Sequence, residues 1–394
     1  FIKPIPYRIF SSDFMLNFDE GAWGLSSDNI EFSSDELTLS AAISIDKPKD
    51  EDTKMSLLAS ILNGKAELAN HYFPNILMGD DLVNYLNGAI VSGKIEQAQV
   101  LFNGPLHKFP FNNHEGIFNV DAELSEAEFK FDPHWPAIKN FNANLTFNNN
   151  SMLITGRNGD LDGIDVKGVT AEIKDLSHEQ ILKVKAAFNK TNPGLVTRLM
   201  NKSPMKKTVG NTLNQLVISK PISGKFSLDL PLNKPEDAVA KGTVNFKNNS
   251  INLQTPNMLF TQVNGQLAYN NDQINADNVT LLWRGMPLNL SINAKDKAML
   301  YNTNINLEAN WKSKDWLKQL PEVLQEYGSG SLAWQGLLSL NMYHEGGFTY
   351  DLGINSTLDK TELKLPAPYT KKAGEVLALK THVTGQTYNT TINA

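Results

Sequence analysis

The sequence has no cysteine, which excludes a disulfide framework, thiol chemistry and any zinc–thiolate centre. That absence is compatible with an oxidising compartment. No stretch approaches 18 uninterrupted apolar residues, so nothing in it has the composition of a membrane-spanning helix. Arginine is scarce: of the 36 cations 32 are lysines, scattered among acids along polar faces rather than gathered in a block. With a formal net charge of -6, the chain lacks the electrostatic footprint of a nucleic-acid binder. Phe1-Ile2-Lys3-Pro4 lacks the hydrophobic core and cleavage site of a signal peptide, and the first residue is not Met. The chain therefore reads as a piece of a longer protein whose anchor or export signal lies outside it.

Catalytic and metal motifs are equally thin. His107 and His114 stand seven residues apart across a proline, with Glu115 nearby and no third ligand at a set spacing. They read as surface-loop histidines. Asp160, Asp162 and Asp165 in GDLDGID have the look of a calcium loop without its bidentate Glu, and a plain Asp-Gly hairpin accounts for them. Gly159-x-x-x-Gly163 is followed by neither a helix nor Lys-Ser/Thr, so it is no phosphate loop. There is no Gly-x-Ser-x-Gly and no pair of carboxylates framed by apolar sequence. The expectation is a protein that is not an enzyme and holds no metal and no cofactor.

What the sequence has is alternation. Phe141, Ala143, Leu145 and Phe147 alternate with Asn142, Asn144, Thr146 and Asn148, the period of a strand with one apolar and one wet face. Asn148 to Ser151 reads as a turn, Met152 and Ile154 as the start of a returning strand, and Gly156 to Gly163 as another turn. Val166, Val169, Ala171 and Ile173 supply a third strand pattern. Phe147 to Ile154 (FNNNSMLI) matches Phe246 to Leu253 (FKNNSINL), and Gly168 finds a counterpart in Gly265. A looser copy, Leu16 and Phe18 before Asp19-Glu20-Gly21, precedes both. This suggests a repeat of about a hundred residues whose units complete one another's sheet.

Helical spacing interrupts the pattern in five places. Residues 76–92 carry Leu82, Leu86 and Ile90 behind Asp80 and Asp81, with Gly93 at the end. Ser177-His178-Glu179-Gln180 reads as a capping box opening a helix through Ile181, Val184, Lys185 and Phe188. Helical stretches follow around Leu195 and Leu199, then from Ser203-Pro204 through Leu216, and Trp316 to Tyr327 predicts a short amphipathic helix closed by Gly328-Ser329-Gly330. The remainder predicts about 20 to 25 strands, more than an open sheet holds without curling or splitting.

Several sandwiches or one long trough satisfy that count, and the repeat favours the trough. At about 4.8 Å per strand it would run on the order of 100 Å. The expected fold class is mostly β: a long curled antiparallel sheet, a β-groove built of repeats, with a few short helical inserts. The expected organisation is a first groove segment at 1–70, a helix and meander repeat at 71–176 and a helical insert at 177–223. A second groove repeat at 224–312 and a helix with further strands at 313–394 complete it.

The candidate site is the apolar face itself. Its expected lining is Phe141, Leu145 and Phe147 with Met152 and Ile154; then Val244, Phe246, Ile251 and Leu253; then Leu267 and Tyr269. Leu281, Trp283, Leu288, Leu290 and Ile292 follow, with Ile305 and Leu307. Such residues fill either the core of closed sandwiches or an open groove. Each lipid methylene removed from water is worth about 0.8 kcal/mol, so a two-chain lipid needs unbroken apolar cover worth about 20 kcal/mol or more. Composition alone leaves both readings open.

The run Tyr72-Phe73-Pro74-Asn75-Ile76-Leu77-Met78-Gly79, with Leu82, Tyr85-Leu86, Ala89-Ile90 and Gly93, resembles the AsmA-like proteins of the YhdP type. So do Gly104-Pro105-Leu106, Phe109-Pro110-Phe111, Gly116-x-Phe118 and Pro133-His134-Trp135-Pro136, and further on Ser203-Pro204 and Leu228-Asp229-Leu230-Pro231-Leu232. The resemblance implies a long Gram-negative envelope protein, similar to TamB and to bridge-like lipid transfer proteins. It would be held in the inner membrane by an N-terminal helix outside this chain and would extend through the periplasm. Phospholipid acyl chains, the inner membrane and envelope proteins are its implied partners, and phospholipid transport to the outer membrane its implied role. A structural rod that tethers envelope components is the alternative. The matching motifs are structural signatures, so no catalytic residue is carried over.

Overall fold

In a computed structural model the chain is described for residues 7–72, 80–178, 180–207, 209–254, 257–386 and 389–393. Those residues form 24 strands in antiparallel ladders, with a few short helices. Two compact units emerge: 1–188 with 198–206 and 226–239, and 189–197 with 207–225 and 240–394.

The first unit opens with β1 (Ile9–Ser12), β2 (Met15–Asp19), β3 (Ala22–Ser33), β4 (Thr38–Lys47) and β5 (Lys54–Lys65). Helix α1 (Asp80–Ala89) leads into β6 (Ile90–Pro105), β7 (Ile117–Phe129), β8 (Ile138–Asn148) and β9 (Ser151–Leu161). β10 (Ile164–Asp165), β11 (Thr170–Ile173) and most of β12 (Ile181–Thr191) follow; helix α2 (Pro193–Asn201) is divided between the units, and helix α3 (Val209–Asn214) belongs to the second. β1 and β2 both pair with β3, and from there each long strand pairs with the next through β9, β11 and β12.

The second unit takes in β13 (Leu216–Ser219), the start of β14 (Ile222–Pro231), and nearly all of β15 (Val239–Leu253). β16 (Met258–Asn270), β17 (Gln273–Trp283), β18 (Met286–Lys297) and β19 (Leu300–Lys312) continue it. After α4 (Ser313–Trp316) and α5 (Glu322–Gln325) come β20 (Gly328–Tyr343), β21 (Phe348–Ser356), β22 (Thr361–Leu363), β23 (Leu379–Gln386) and β24 (Asn389–Asn393). β13 pairs with β15, the ladder then runs in order to β21, β23 and β24, and β22 caps the start of β20.

The turns follow from local chemistry. Glu20-Gly21, Asp162-Gly163 and Arg284-Gly285 each place two successive residues at positive φ (34° and 95°, 52° and 92°, 51° and 80°). That is the two-residue hairpin geometry that glycine makes cheap and that matches strand twist. Within strands, positive φ at Glu126, Asn140, Asn248 and Asn278 marks bulges that bend the sheet.

Several sequence expectations change. The segment after Ser177 is strand β12, not a helix: Leu182, Val184, Ala186 and Phe188 alternate with Lys183, Lys185 and Ala187, and this period of two wins. The supposed cap belongs to a turn around Asp175, whose Oδ1 accepts from the backbone N–H groups of Ser177 and His178; Glu179 lies outside the described residues. Helix α1 ends at Ala89, and Ile90 is already strand; residues 76–79 lie outside the described residues. Gly156 sits inside β9, so the turn narrows to Asp162-Gly163. The single helix at 316–327 is split by Pro321 into short turns, and Gly328-Ser329-Gly330 begins β20 instead of closing a helix. The matched octets also differ: Asn148–Ser151 is a hairpin turn, whereas Phe246–Leu253 is one strand with a bulge at Asn249. Asn249 is fully buried there, and its Nδ2 donates to the Ser219 and Lys220 carbonyls. The octets therefore do not mark equivalent positions.

Candidate functional site

Register turns alternation into a surface. In the first unit Phe32, Leu39, Ile61, Ala98, Ala122, Leu145, Ile154, Ala171 and Val184 are successive cross-strand partners. The second unit repeats this with Val244, Leu267, Ala276, Ile292, Ile305, Leu338, Leu352, Val383 and Ile392. Nine strands at about 4.8 Å give each unit an apolar band about 38 Å across, with no polar residue in the row. The other face is wet. Asn293 Nδ2 donates to Asn275 Oδ1 and Asn302 Nδ2 to Asn341 Oδ1, both at 2.7 Å.

The expected lining residues fall on these faces. Phe147 opposes Met152, Leu145 opposes Ile154, and Phe141 opposes Ala127. In the second unit Phe246, Ile251, Leu267, Trp283, Leu290, Ile292 and Leu307 pack around buried Leu281 and Leu288. Val244 opposes Leu267, Tyr269 opposes Gly242, Leu253 opposes Met258, and Ile305 opposes Ile292. The face of the first unit also takes in Leu39, Ile61 and Ala98, and that of the second Trp334, Leu338 and Leu352, none of them among the expected lining residues. Leu338-Ser339-Leu340-Asn341-Met342 carried that signal as plain alternation.

The two faces differ in cover. In the first unit Phe109 and Phe111 fold back from the β6–β7 loop onto Phe102 and Phe118, with ring centroids 5.2 to 6.3 Å apart. Phe141 lies across Gly156 and Gly159, and Val169 presses on Gly156. A Cβ at Gly156 would meet both side chains within 2.8 Å. In the second unit Val244, Phe246, Leu267, Leu290, Ile292, Ile305, Leu307 and Leu338 stay half-buried. Within the second unit, the substantial contacts that β16 to β23 make are with their ladder neighbours and the short helices.

Titratable groups add little chemistry. His107 Nε2 pairs with Asp52 at 3.3 Å, and no described cluster of three or more His, Asp or Glu is arranged to hold a metal. Asp162, in the suspected calcium loop, is a hairpin residue held by Lys202 (2.7 Å) and Arg198 (2.9 Å). Partial burial pushes its carboxyl up, but the two cations outweigh that and hold it below the usual range. Burial pushes the Tyr269 and Tyr301 hydroxyls up to about 12, so both remain neutral donors.

A mostly β chain whose antiparallel ladders carry an apolar face over nine strands in each unit has the architecture of a β-groove protein. The chain belongs to the YhdP protein family, whose sequence profile matches residues 1–394. It is 33% identical over 340 residues to the intermembrane phospholipid transporter YhdP of Escherichia coli strain K12, covering 86% of this chain and 26% of that protein. The chain thus spans about a quarter of that relative's length. No solved structure matches it.

Proposed function

We propose that this chain is one stretch of a non-enzymatic periplasmic bridge that carries phospholipids between the inner and outer membranes. Acyl chains ride against the apolar sheet faces and headgroups stay at the strand ends. The observation that carries this reading is the nine-strand row of the second unit, apolar throughout and, apart from buried Ala276, still partly open to solvent. A rod of closed sandwiches, the competing reading, would bury Ile292, Ile305 and Leu338 completely. The relative's role as an intermembrane phospholipid transporter supports the same conclusion. In the whole protein an N-terminal segment beyond this chain anchors the bridge in the inner membrane. Direction is then set by a lipid gradient or by a partner.

Native mass spectrometry of the chain, purified from cells without detergent, tests the proposal. Several phospholipids per chain, in mixed headgroup classes, are expected. A well-folded sample that flies without lipid would overturn it in favour of the rod.

A further inference from the structure

Four of the six tryptophans in the sequence gather at one end of the second unit's strands. Trp283 ends β17, Trp311 nearly ends β19, Trp316 ends α4, and Trp334 sits opposite Ala309 near the start of β20. Trp311 lies 6.2 Å from Trp283 and 5.2 Å from Trp334, ring centre to ring centre. The other strand ends carry tyrosines on the same face: Tyr269, Tyr301 and Tyr350, with Tyr269 laid over Gly242 and Tyr350 over Gly385. Between them the face is mostly aliphatic. On β19 the step from Tyr301 to Trp311 spans ten residues, about 34 Å of extended chain.

Indole and phenol rings have an apolar body and a polar tip, so they collect where hydrocarbon meets headgroup. At the tryptophan end the Arg284 guanidinium sits 5.5 Å from the Trp283 ring centre on an exposed turn. At the tyrosine end Asp272 and Asp296 bear on Tyr301, and Asp296 is paired with His344 Nε2 at 2.7 Å. The Trp311 indole N–H is already committed to the Pro287 carbonyl at 2.7 Å, whereas the buried indole N–H groups of Trp316 and Trp334 have no acceptor among the described residues. A wall that is apolar and is edged at one end by indole rings and a guanidinium matches a diacyl phosphodiester in outline.

We infer that the tryptophan end of the second unit is a headgroup station, where Arg284 takes the phosphate and the Trp283 and Trp334 indoles face the glycerol-ester region of a phospholipid. This rests on the conduit reading and adds an orientation to it: phosphates line up on the tryptophan side, not on both.

The test uses the full chain with Trp23 and Trp135 changed to Phe, so that emission comes from the four clustered indoles. Phosphatidylcholine carrying a nitroxide on its headgroup is expected to quench that emission more than the same lipid labelled at the acyl terminus. Arg284→Asn removes the charge yet tolerates the turn's positive φ. It is expected to cost phosphatidylglycerol binding about three- to tenfold, the range of a partly exposed charge-assisted contact, and to leave a diacylglycerol of equal chain length unaffected. Equal quenching by both labels, or equal loss for both lipids, overturns the station while leaving the conduit standing. Failure of every lipid to bind overturns the conduit itself.

Discussion

The two units use the same ladder and finish it differently. In the first, the middle of the apolar face is sealed: Ala143, Met152, Ile173 and Leu182 are 0% exposed, and phenylalanines close the strand ends. In the second, a buried centre of Val263, Ala276, Leu281 and Leu288 is flanked by half-buried Val244, Leu267, Ile292, Ile305 and Leu338, and tryptophans and tyrosines stand at the ends. Phenylalanine has no polar tip, so it suits a strand end that folds shut on itself. Tryptophan and tyrosine suit an end that meets something wet. The same alternation therefore yields a packed core where loops such as that of Phe109 and Phe111 return onto the sheet. Where no loop returns, it yields an apolar wall that stays half-buried around a buried centre.

The sharpest way to break this comparison is to place a charge on each face. Met152→Asp puts a carboxylate among fully buried neighbours, and a cost of several kcal/mol is expected to abolish cooperative unfolding of the first unit. Leu290→Asp in the second unit reaches water along the half-open face. It is expected to leave the chain folded, with a cooperative circular dichroism melt lowered by only a few degrees, while copurifying lipid is lost. If Leu290→Asp unfolds the chain as Met152→Asp does, the two faces are equivalent and the second unit is a closed core. Truncation gives a smaller version of the same contrast. Phe141→Ala, at 2% exposure and backed by Gly156 and Gly159, is expected to cost about 3–5 kcal/mol in urea unfolding. Ile305→Ala, on the half-open face, is expected to cost about 1–2 kcal/mol, since part of its surface is already in water.

The contrast explains what could be read beforehand. Strand faces were legible because alternation at Phe141–Phe147 or Ile305–Trp311 depends only on neighbours in sequence. Helix and strand were confused at Ile181–Phe188 because Val184 and Phe188 satisfy a four-residue spacing while Leu182 to Phe188 also satisfy a two-residue one. Pairing with β11 decides between them, and that contact is not local. Cover was not legible at all. Nothing in the spacing of Phe109 and Phe111 says that they return onto Phe102, so the sealed and open faces looked alike. The octet match failed for a related reason: Asn-Asn tolerates left-handed backbone and serves a hairpin turn as readily as a bulge.

A glycine in the second unit offers a further test at moderate cost. A Cβ at Gly242 would stand 2.4 Å from both the Lys225 carbonyl oxygen and the Tyr269 hydroxyl. Gly242→Ala is therefore expected to displace the Tyr269 ring and destabilise this strand end by about 1–3 kcal/mol. Accelerated amide exchange confined to β15 and β16 would sharpen the view that the tyrosine end is built around its glycines. An unchanged exchange pattern would sink it.

The smallest expected effect concerns charge in the first unit. Lys202 and Arg198, at the end of α2, hold the Asp162 carboxylate at the β9–β10 turn. Its folded pKa is depressed despite the opposing effect of burial, so the stabilisation is present above the unfolded value, near 3.9 for an Asp. It is lost as pH falls through the lower folded value. Because both cations are about half-exposed, the contribution should be about 0.5–1 kcal/mol. Asp162→Asn should therefore speed amide exchange at the end of α2 at pH 7 but change little once the pH is below the folded value, where the wild-type carboxyl is itself protonated. A variant indistinguishable from wild type at pH 7 would mean that helix α2 is held by Leu199 and its apolar contacts alone, and that sealing the first unit owes nothing to charge.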